Sequence, residues 1–166
     1  MDCILPGHSI RQFCSAITAL SRVGDDLYIE FDPTSGLALR SLNDAKSAYA
    51  CARFEPGFFE RCTTSPTNEE TKNGSRKRNR DDASQESSTR FACRVPFRAL
   101  AIVIRPRKNV LSLRVFNETI DSALYLSFQF QVQEEEHDYI VTHQVKAASA
   151  RGVAAVAPID DASELQ

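Results

Sequence analysis

The sequence predicts an α+β domain in which two β-α-β-β-β units form one curved antiparallel sheet, with two helices on the same face. Two features of the sequence support this fold class. A short apolar strand that ends in proline and runs into a helix pattern occurs at residues 2–6 and again at residues 91–96. Each helix pattern is followed by segments in which apolar and polar residues alternate, as they do in a half-buried strand.

The first helix is predicted to begin at Ser9, because Ser9 and Gln12 match a capping box. It is predicted to end near Val23, before Gly24, since glycine favours the left-handed conformation at a helix end. At about 100° per residue its apolar side chains fall on one side. They are Ile10, Phe13, Ala16, Ile17, Leu20 and Val23. The opposite side carries Arg11, Ser15, Thr18 and Arg22.

The strands of both units follow from alternation with a period of two. In the first unit, residues 27–32 and 37–42 predict a hairpin, residues 47–54 a third strand, and residues 56–59 a short apolar turn or helical knob. In the second unit, residues 97–104 predict a short helix that ends before Pro106. Three further strands are predicted at residues 110–116, 123–132 and 138–145.

Composition divides the chain into a domain at residues 1–147 and an edge segment with the start of a connector at residues 148–166. Residues 63–89 have no periodic apolar face and predict a disordered, charged insertion. Its basic core is a nuclear-import signal, a weak phosphate-binding arm or a solvated charge run. That core is formed by Arg76, Lys77, Arg78 and Arg80.

Charge and hydropathy exclude several classes of protein. The chain has 20 Lys and Arg against 22 Asp and Glu, so no global basic field indicates nucleic-acid binding. No apolar run approaches the roughly 18 residues of a membrane span, and the N-terminus lacks a secretory signal, so we expect an intracellular protein that does not bind membranes. The five cysteines then favour buried thiols over disulfides or a zinc site.

No catalytic residues, metal ligands or cofactor are predicted. His8, His137 and His143 are scattered, and no glycine-rich phosphate loop or hydrolase motif occurs. One acidic run resembles metal ligands, but it lies between two strands and is expected to be an exposed loop tip. It consists of Glu134, Glu135, Glu136, His137 and Asp138. The chain is therefore expected not to be an enzyme.

Four segments carry a resemblance to a known family. They are Leu-Ser-Arg-Val-Gly-Asp-Asp-Leu-Tyr-Ile-Glu at residues 20–30, Leu-Ala-Leu-Arg-Ser-Leu-Asn at 37–43, Ser-Ala-Tyr-Ala-Cys at 47–51, and Phe-x-Pro-x-Phe-Phe at 54–59. In this order they resemble the N-terminal domain of the Rad-nine subunit of the DNA-damage checkpoint clamp, the nine-one-one complex. That subunit is a relative of proliferating cell nuclear antigen. The resemblance covers residues 2–62 well and residues 90–145 moderately.

The resemblance implies a non-enzymatic subunit that joins Rad-one-like and Hus-one-like clamp subunits in a ring around double-stranded DNA. A clamp loader would place the ring at damage sites in the nucleus, where it supports checkpoint signalling and repair. Such rings carry their helices inside, which implies phosphate contacts of any sequence. The implied DNA-facing residues are Arg11, Arg22, Arg98, Arg105, Arg107 and Lys108.

The resemblance also implies that the strand at residues 138–145 is an edge that pairs with a neighbouring subunit. Its interface residues would be Tyr139, Val141, His143 and Val145. Family members have a second clamp domain and a phosphorylated tail, neither of which is expected in this chain. Two alternatives stay open: a replication processivity clamp of the same fold, and a metal-dependent nuclease acting through the acidic run at residues 134–138.

Overall fold

The computed structural model describes residues 1–64, 90–135 and 137–150. These residues form two α-helices, one 3₁₀ turn and ten strands. In chain order they are β1 Asp2–Pro6, α1 Gly7–Leu20, β2 Asp26–Asp32, β3 Gly36–Leu42, β4 Tyr49–Phe54, the 3₁₀ turn Pro56–Phe58, β5 Arg61–Thr63, β6 Phe91–Pro96, α2 Phe97–Leu100, β7 Val110–Ile120, β8 Ala123–Gln133, β9 Asp138–Lys146 and β10 Ala148–Ser149. No helix in this part of the chain is both long and apolar enough to cross a bilayer.

The α+β class is confirmed, but the strands form two five-stranded sheets rather than one. Sheet A has the order β5-β1-β7-β8-β9 and sheet B the order β10-β6-β2-β3-β4, and the strands pair antiparallel in both. The prediction of one sheet is wrong because α1 carries the chain from β1 in sheet A to β2 in sheet B. β1 then pairs with β7, and β2 pairs with β6, so each sheet combines strands from both units.

Helix α1 lies against both sheets, since it contacts β1 and β7 of sheet A and β3 and β4 of sheet B. Phe13, Ile17 and Leu20 on its inner side are at most 3% exposed, which confirms the predicted apolar side. Burial of a large apolar side chain contributes about 1.5–3 kcal/mol. The helix is therefore held in place mainly by this one row of side chains.

Both predicted ends of α1 are corrected. The helix begins at Gly7, after Pro6 in an extended conformation, and Ser9 is buried inside the first turn with no capping bond. Gly7 permits close approach to β7, because a Cβ there would lie 2.5 Å from the carbonyl oxygen of Val110. The helix ends at Leu20 rather than near Val23. Gly24 is required for packing rather than for a left-handed turn, since a Cβ there would lie 2.2 Å from the carbonyl oxygen of Leu42.

Helix α2 is a single turn, Phe97–Leu100, where the sequence predicts a helix to residue 104. A turn continues it, with the backbone amides of Val103 and Ile104 donating to the carbonyl of Leu100. This turn ends before Pro106, since the residue before a proline avoids the helical conformation. Leu100 and Val103 are fully buried and fix this segment to the core.

Strand β5, which the sequence analysis does not predict, brings two cysteines together. It pairs with β1 so that Cys62 lies directly opposite Cys3, and the two form a disulfide in this structure. The expectation of thiols throughout is therefore wrong for this pair, because 59 residues separate the two cysteines in sequence and only the strand pairing makes them neighbours. Cys14, Cys51 and Cys93 are free thiols.

Candidate nucleic-acid interface

A groove of about 760 Å³ separates the outer side of α1 from the segment that follows α2. We call it the basic groove. Arg11 and Arg22 line it on the α1 side, Arg105 and Arg107 line it on the opposite side, and Ile10 and Phe130 are among its apolar lining residues. The structure thus brings together four of the six residues predicted to face DNA. Arg98 and Lys108 are exposed but do not line the groove.

Three of the four arginines in the groove are available to a ligand. Arg11, Arg22 and Arg105 are exposed, and within residues 1–64, 90–135 and 137–150 no ion pair or hydrogen bond engages their guanidinium groups. The ion pairs in this part of the chain involve other arginines, at positions 40, 90, 94 and 114. The groove therefore presents uncompensated positive charge on a protein whose net charge is −2.

Arg11 lies on α1, and Arg22 lies in the turn directly after the last helical residue, Leu20. Arg11 and Arg22 are eleven residues apart, which corresponds to about 16 Å along a helix and nearly the same direction around it. Ser15 and Thr18 lie between them and are exposed. The Thr18 hydroxyl donates to the carbonyl of Cys14 at 2.8 Å, so its oxygen remains able to accept. The result is a cationic row with hydroxyl groups inside it.

Arg107 differs from the other groove arginines because it is partly buried and its guanidinium is engaged on several sides. Nη1 donates to the carbonyl of Val103 at 2.9 Å, and Nη2 donates to the carbonyl of Ile102 at 3.0 Å. The guanidinium carbon lies 4.1 Å from the centroid of the Phe130 ring. Nη2 also lies 2.6 Å from Nε2 of His143 on β9. Burial lowers the pKa of Arg107.

Strand β9 is the outer strand of sheet A, and in the described residues it pairs with β8 alone. The four predicted interface residues alternate along it. Val145 is buried, Val141 and His143 are half-buried, and Tyr139 is 43% exposed. Ile140, on the other face, is 62% exposed and was not predicted, although an isoleucine on a strand with an unpaired edge is a usable signal.

A family model described as Rad9 matches residues 13–156 of the chain. The chain belongs to the Rad9 family. The match begins within α1 and includes β2 to β10 and the segment after α2 that lines the basic groove. It confirms the family to which the four quoted segments point, and the chain is a protein of the sliding-clamp type.

Solved structures show the same fold for this Rad9-family chain. The PCNA2–PCNA3 complex from Sulfolobus tokodaii matches with 14% identity and a TM-score of 0.58, and PCNA from Thermococcus kodakaraensis matches with 12% identity and a TM-score of 0.61. Each match covers 90% of this chain and 47% of the clamp chain. The Rad9-family chain therefore spans about half the length of these clamps.

The remaining candidate residues contribute no second site to the described part of this Rad9-family domain. Glu134, Glu135 and His137 line a shallow cavity of about 440 Å³ with Asn109, at the turn between β8 and β9. Nowhere in the described residues do three or more His, Cys, Asp or Glu side chains converge as metal ligands. His8 is exposed at the start of α1. The basic core at residues 76–80 lies outside the described residues.

Cys14 is a groove residue that no sequence motif indicates. Its thiol lies on α1 between the two cationic ends of the row and is partly buried. Burial raises the pKa of this thiol, although the charge of Arg107 opposes the effect. It is therefore held as a neutral thiol, which suits a lining residue rather than a nucleophile.

Proposed function

We propose that this chain is a non-enzymatic subunit, or the N-terminal half of one, of the checkpoint sliding clamp that encircles DNA at damage sites. The observation that carries the proposal is the basic groove of a Rad9-family domain. Three exposed arginines, at positions 11, 22 and 105, present guanidinium groups there that no acidic side chain in the described residues neutralises.

The groove binds the phosphates of double-stranded DNA without reading its sequence. Duplex DNA carries about one negative charge per 1.7 Å of its axis, so a cationic row of about 16 Å faces several phosphates in any register. Contacts of this kind release counterions and carry no base information, which permits sliding. Arg98 and Lys108 extend the positive surface beyond the groove, as exposed charges on the same segment of chain.

Strand β9 joins the chain to a neighbouring clamp subunit by strand addition. An unpaired strand edge offers backbone donors and acceptors along Tyr139, Val141, His143 and Val145, and the exposed side chains of Tyr139 and Ile140 select the partner. The partners in the proposed ring are Rad-one-like and Hus-one-like subunits, assembled on DNA by a clamp loader in the nucleus. Ring closure then keeps the weak phosphate contacts from dissociating.

The proposed role, which is to contact DNA and to join a ring, needs no active site or cofactor in this chain. Residues 1–147 form a first clamp domain, residues 63–89 an insertion, and residues 148–166 an edge segment and connector. Checkpoint signalling and repair would be supported through the proteins that the ring recruits. The basic core at residues 76–80 would serve nuclear import.

Salt-dependent DNA binding by the assembled ring tests the groove. Reversing charge at Arg11, Arg22, Arg98 and Arg105 to glutamate should weaken binding strongly, and the double variant R11E/R22E should lower the log–log salt slope by about 2, since each lost phosphate contact removes about 0.9. The matched control is R53E/R61E, which changes two exposed arginines on β4 and β5. An equal loss in the control would overturn the groove assignment.

Capture of partners tests the ring itself. The tagged 166-residue chain should recover two different clamp subunits, identified by mass spectrometry, and an I140K variant on the proposed edge should recover neither. Recovery of a self-assembled trimer alone would instead support a replication processivity clamp. DNA cleavage that survives full purification and is lost on replacing Glu134 and Glu135 would overturn the non-enzymatic assignment.

A further inference from the structure

The resemblance places Arg107 among the DNA-facing arginines, but its guanidinium has little capacity left for a phosphate. A guanidinium carries five N–H groups. Four contacts use the terminal nitrogens: Nη1 with the carbonyls of Val103 and Arg105, at 2.9 and 3.3 Å, and Nη2 with the carbonyl of Ile102 and the ring nitrogen of His143. The parallel pair of N–H groups that a bidentate phosphate contact needs is therefore already occupied.

The carbonyls that accept from Arg107 lie in the turn that follows α2, at residues 101–105. The last carbonyls of a helix have no partners within it and need others. With a helix of only four residues, the turn at residues 101–105 has few bonds of its own, and Arg107 supplies partners from beyond Pro106. The exposed side chain of Arg105 projects from this same turn, so its placement in the groove depends on the turn.

The guanidinium also connects this turn to sheet A. It stacks on Phe130 of β8 and contacts His143 of β9, whose ring lies edge-on to Phe130 with centroids 6.1 Å apart. Nε2 of His143 must accept the bond from Arg107, which requires a neutral imidazole with its proton on Nδ1. Burial and the adjacent positive charge both lower the pKa of His143, which favours that neutral form.

We propose that Arg107 is a positioning residue rather than a phosphate ligand: it holds the turn that presents Arg105 and ties that turn to His143 on the edge strand β9. The inference rests on the proposed function in that the turn is taken to face DNA. The bonds themselves are independent of DNA. A contact at β9 and the orientation of one side of the basic groove are thereby mechanically linked.

Substitutions at two neighbouring arginines separate positioning from charge. Lysine keeps the charge but cannot donate to three carbonyls and stack on a ring at once, whereas a phosphate contact accepts lysine as a point charge. In the full 166-residue chain, R107K and R107A should both speed amide hydrogen exchange at Val103 and Ile104 by about tenfold or more. R105K and R105A are the matched controls and should leave exchange there unchanged.

The titration of His143, followed by NMR in the same chain, is the second readout. R107A should raise the pKa of His143 towards its ordinary value, because the adjacent positive charge is gone, and R105A should leave it unchanged. Normal exchange in R107K together with an unshifted His143 titration in R107A would overturn the proposal. Both measurements need no DNA, so they remain decisive even if the chain proves not to bind it.

DNA binding by the assembled ring gives the third readout. R105A should lower the salt slope by about 0.9, as expected for one lost phosphate contact, and R107A should lower it by no more than this and add nothing further in the R105A background. Full rescue of binding by R107K would identify Arg107 as a phosphate ligand and contradict the proposal. If no variant of either arginine changes DNA binding, the proposed function fails while the positioning role is judged by the first two readouts.

Discussion

The two units of the domain form their helices in different ways. Helix α1 spans 14 residues and is held by its own apolar side, which lies against both sheets. Helix α2 has one turn, and the segment after it relies on a guanidinium from outside the helix. A long amphipathic helix is encoded in its own periodicity, whereas a single turn depends on contacts made by distant residues.

The same difference divides the basic groove. Arg11 and Arg22 stand on or directly after a regular helix, so their separation is set by helix geometry. Arg105 stands on an irregular turn, so its position is set by the contacts of Arg107. We therefore expect the α1 side of the groove to be rigid and the opposite side to respond to its surroundings.

Truncation of the helix cores gives the largest expected effect. F13A should lower the free energy of unfolding by about 4 kcal/mol and L100A by about 3 kcal/mol, because each leaves a cavity in a tightly packed site. Urea denaturation of the 166-residue chain measures both. S15A, on the exposed side of α1, should change stability by less than about 0.5 kcal/mol. A larger loss of unfolding free energy for L100A than for F13A would contradict the expectation that the core side of α1 contributes more to stability than that of α2.

A methyl group at Gly24 should have the next largest effect. G24A should destabilise by about 1–3 kcal/mol, because the new Cβ collides with the backbone of Leu42 and cannot be relieved by a side-chain rotation. G57A is the matched control, since nothing lies within 4 Å of a Cβ there. Equal thermal midpoints for the two variants would show that the junction between α1 and sheet B is looser than described.

The ion pair between the two units gives the smallest effect. Asp2 on β1 accepts from Nε and Nη2 of Arg114 on β7, at 2.9 and 2.7 Å. D2N should cost about 1 kcal/mol at neutral pH, because the carboxylate is largely buried but the guanidinium is partly solvated. R94Q, which removes a longer pair at 3.7 Å, should cost less.

The pH dependence of D2N follows from the pKa of Asp2. The hydrogen bond from Arg114 lowers this pKa below the ordinary value of 3.8. The native state therefore binds the proton less readily than the unfolded state, so the stabilisation is complete well above pH 3.8 and is lost as pH falls below it. The stability difference between wild type and D2N should shrink between about pH 5 and pH 2. A difference that does not shrink as pH falls from about 5 would exclude the ion pair as its cause.

The sequence predicts those parts of the fold that repeat with a fixed period. The apolar side of α1 and the alternation in β2, β3 and β8 were recognisable because one helix or strand contains all the residues involved. The predicted start of α1 is wrong because Ser9 matches a capping pattern, whereas Gly7 packs against β7, about 100 residues later in the sequence. The division into two sheets and the Cys3–Cys62 pair depend on which strands meet, and periodicity carries no such information.

The candidate site shows the same limit. Helix spacing puts Arg11 and Arg22 on one side, the resemblance implies that they face DNA, and the structure places them in one groove. The resemblance implies the same role for Arg107, which closely follows Arg105 in the sequence. Its carbonyl partners lie within five residues, but Phe130 and His143 lie 23 and 36 residues away, on two other strands. Charge alone therefore cannot distinguish an arginine that binds phosphate from one that positions the turn beside it.

The exchange of strands between the two units has a consequence for how the chain folds. Neither sheet can be completed before β6 and β7 have been synthesised, because β2 pairs with β6 and β1 pairs with β7. Contacts between residues so far apart in sequence are slow to form. During synthesis the first unit can pair β2, β3 and β4, but the pairing of β1 with β7 and of β2 with β6 needs the second unit. We therefore expect both units to gain and lose their full structure in a single cooperative step.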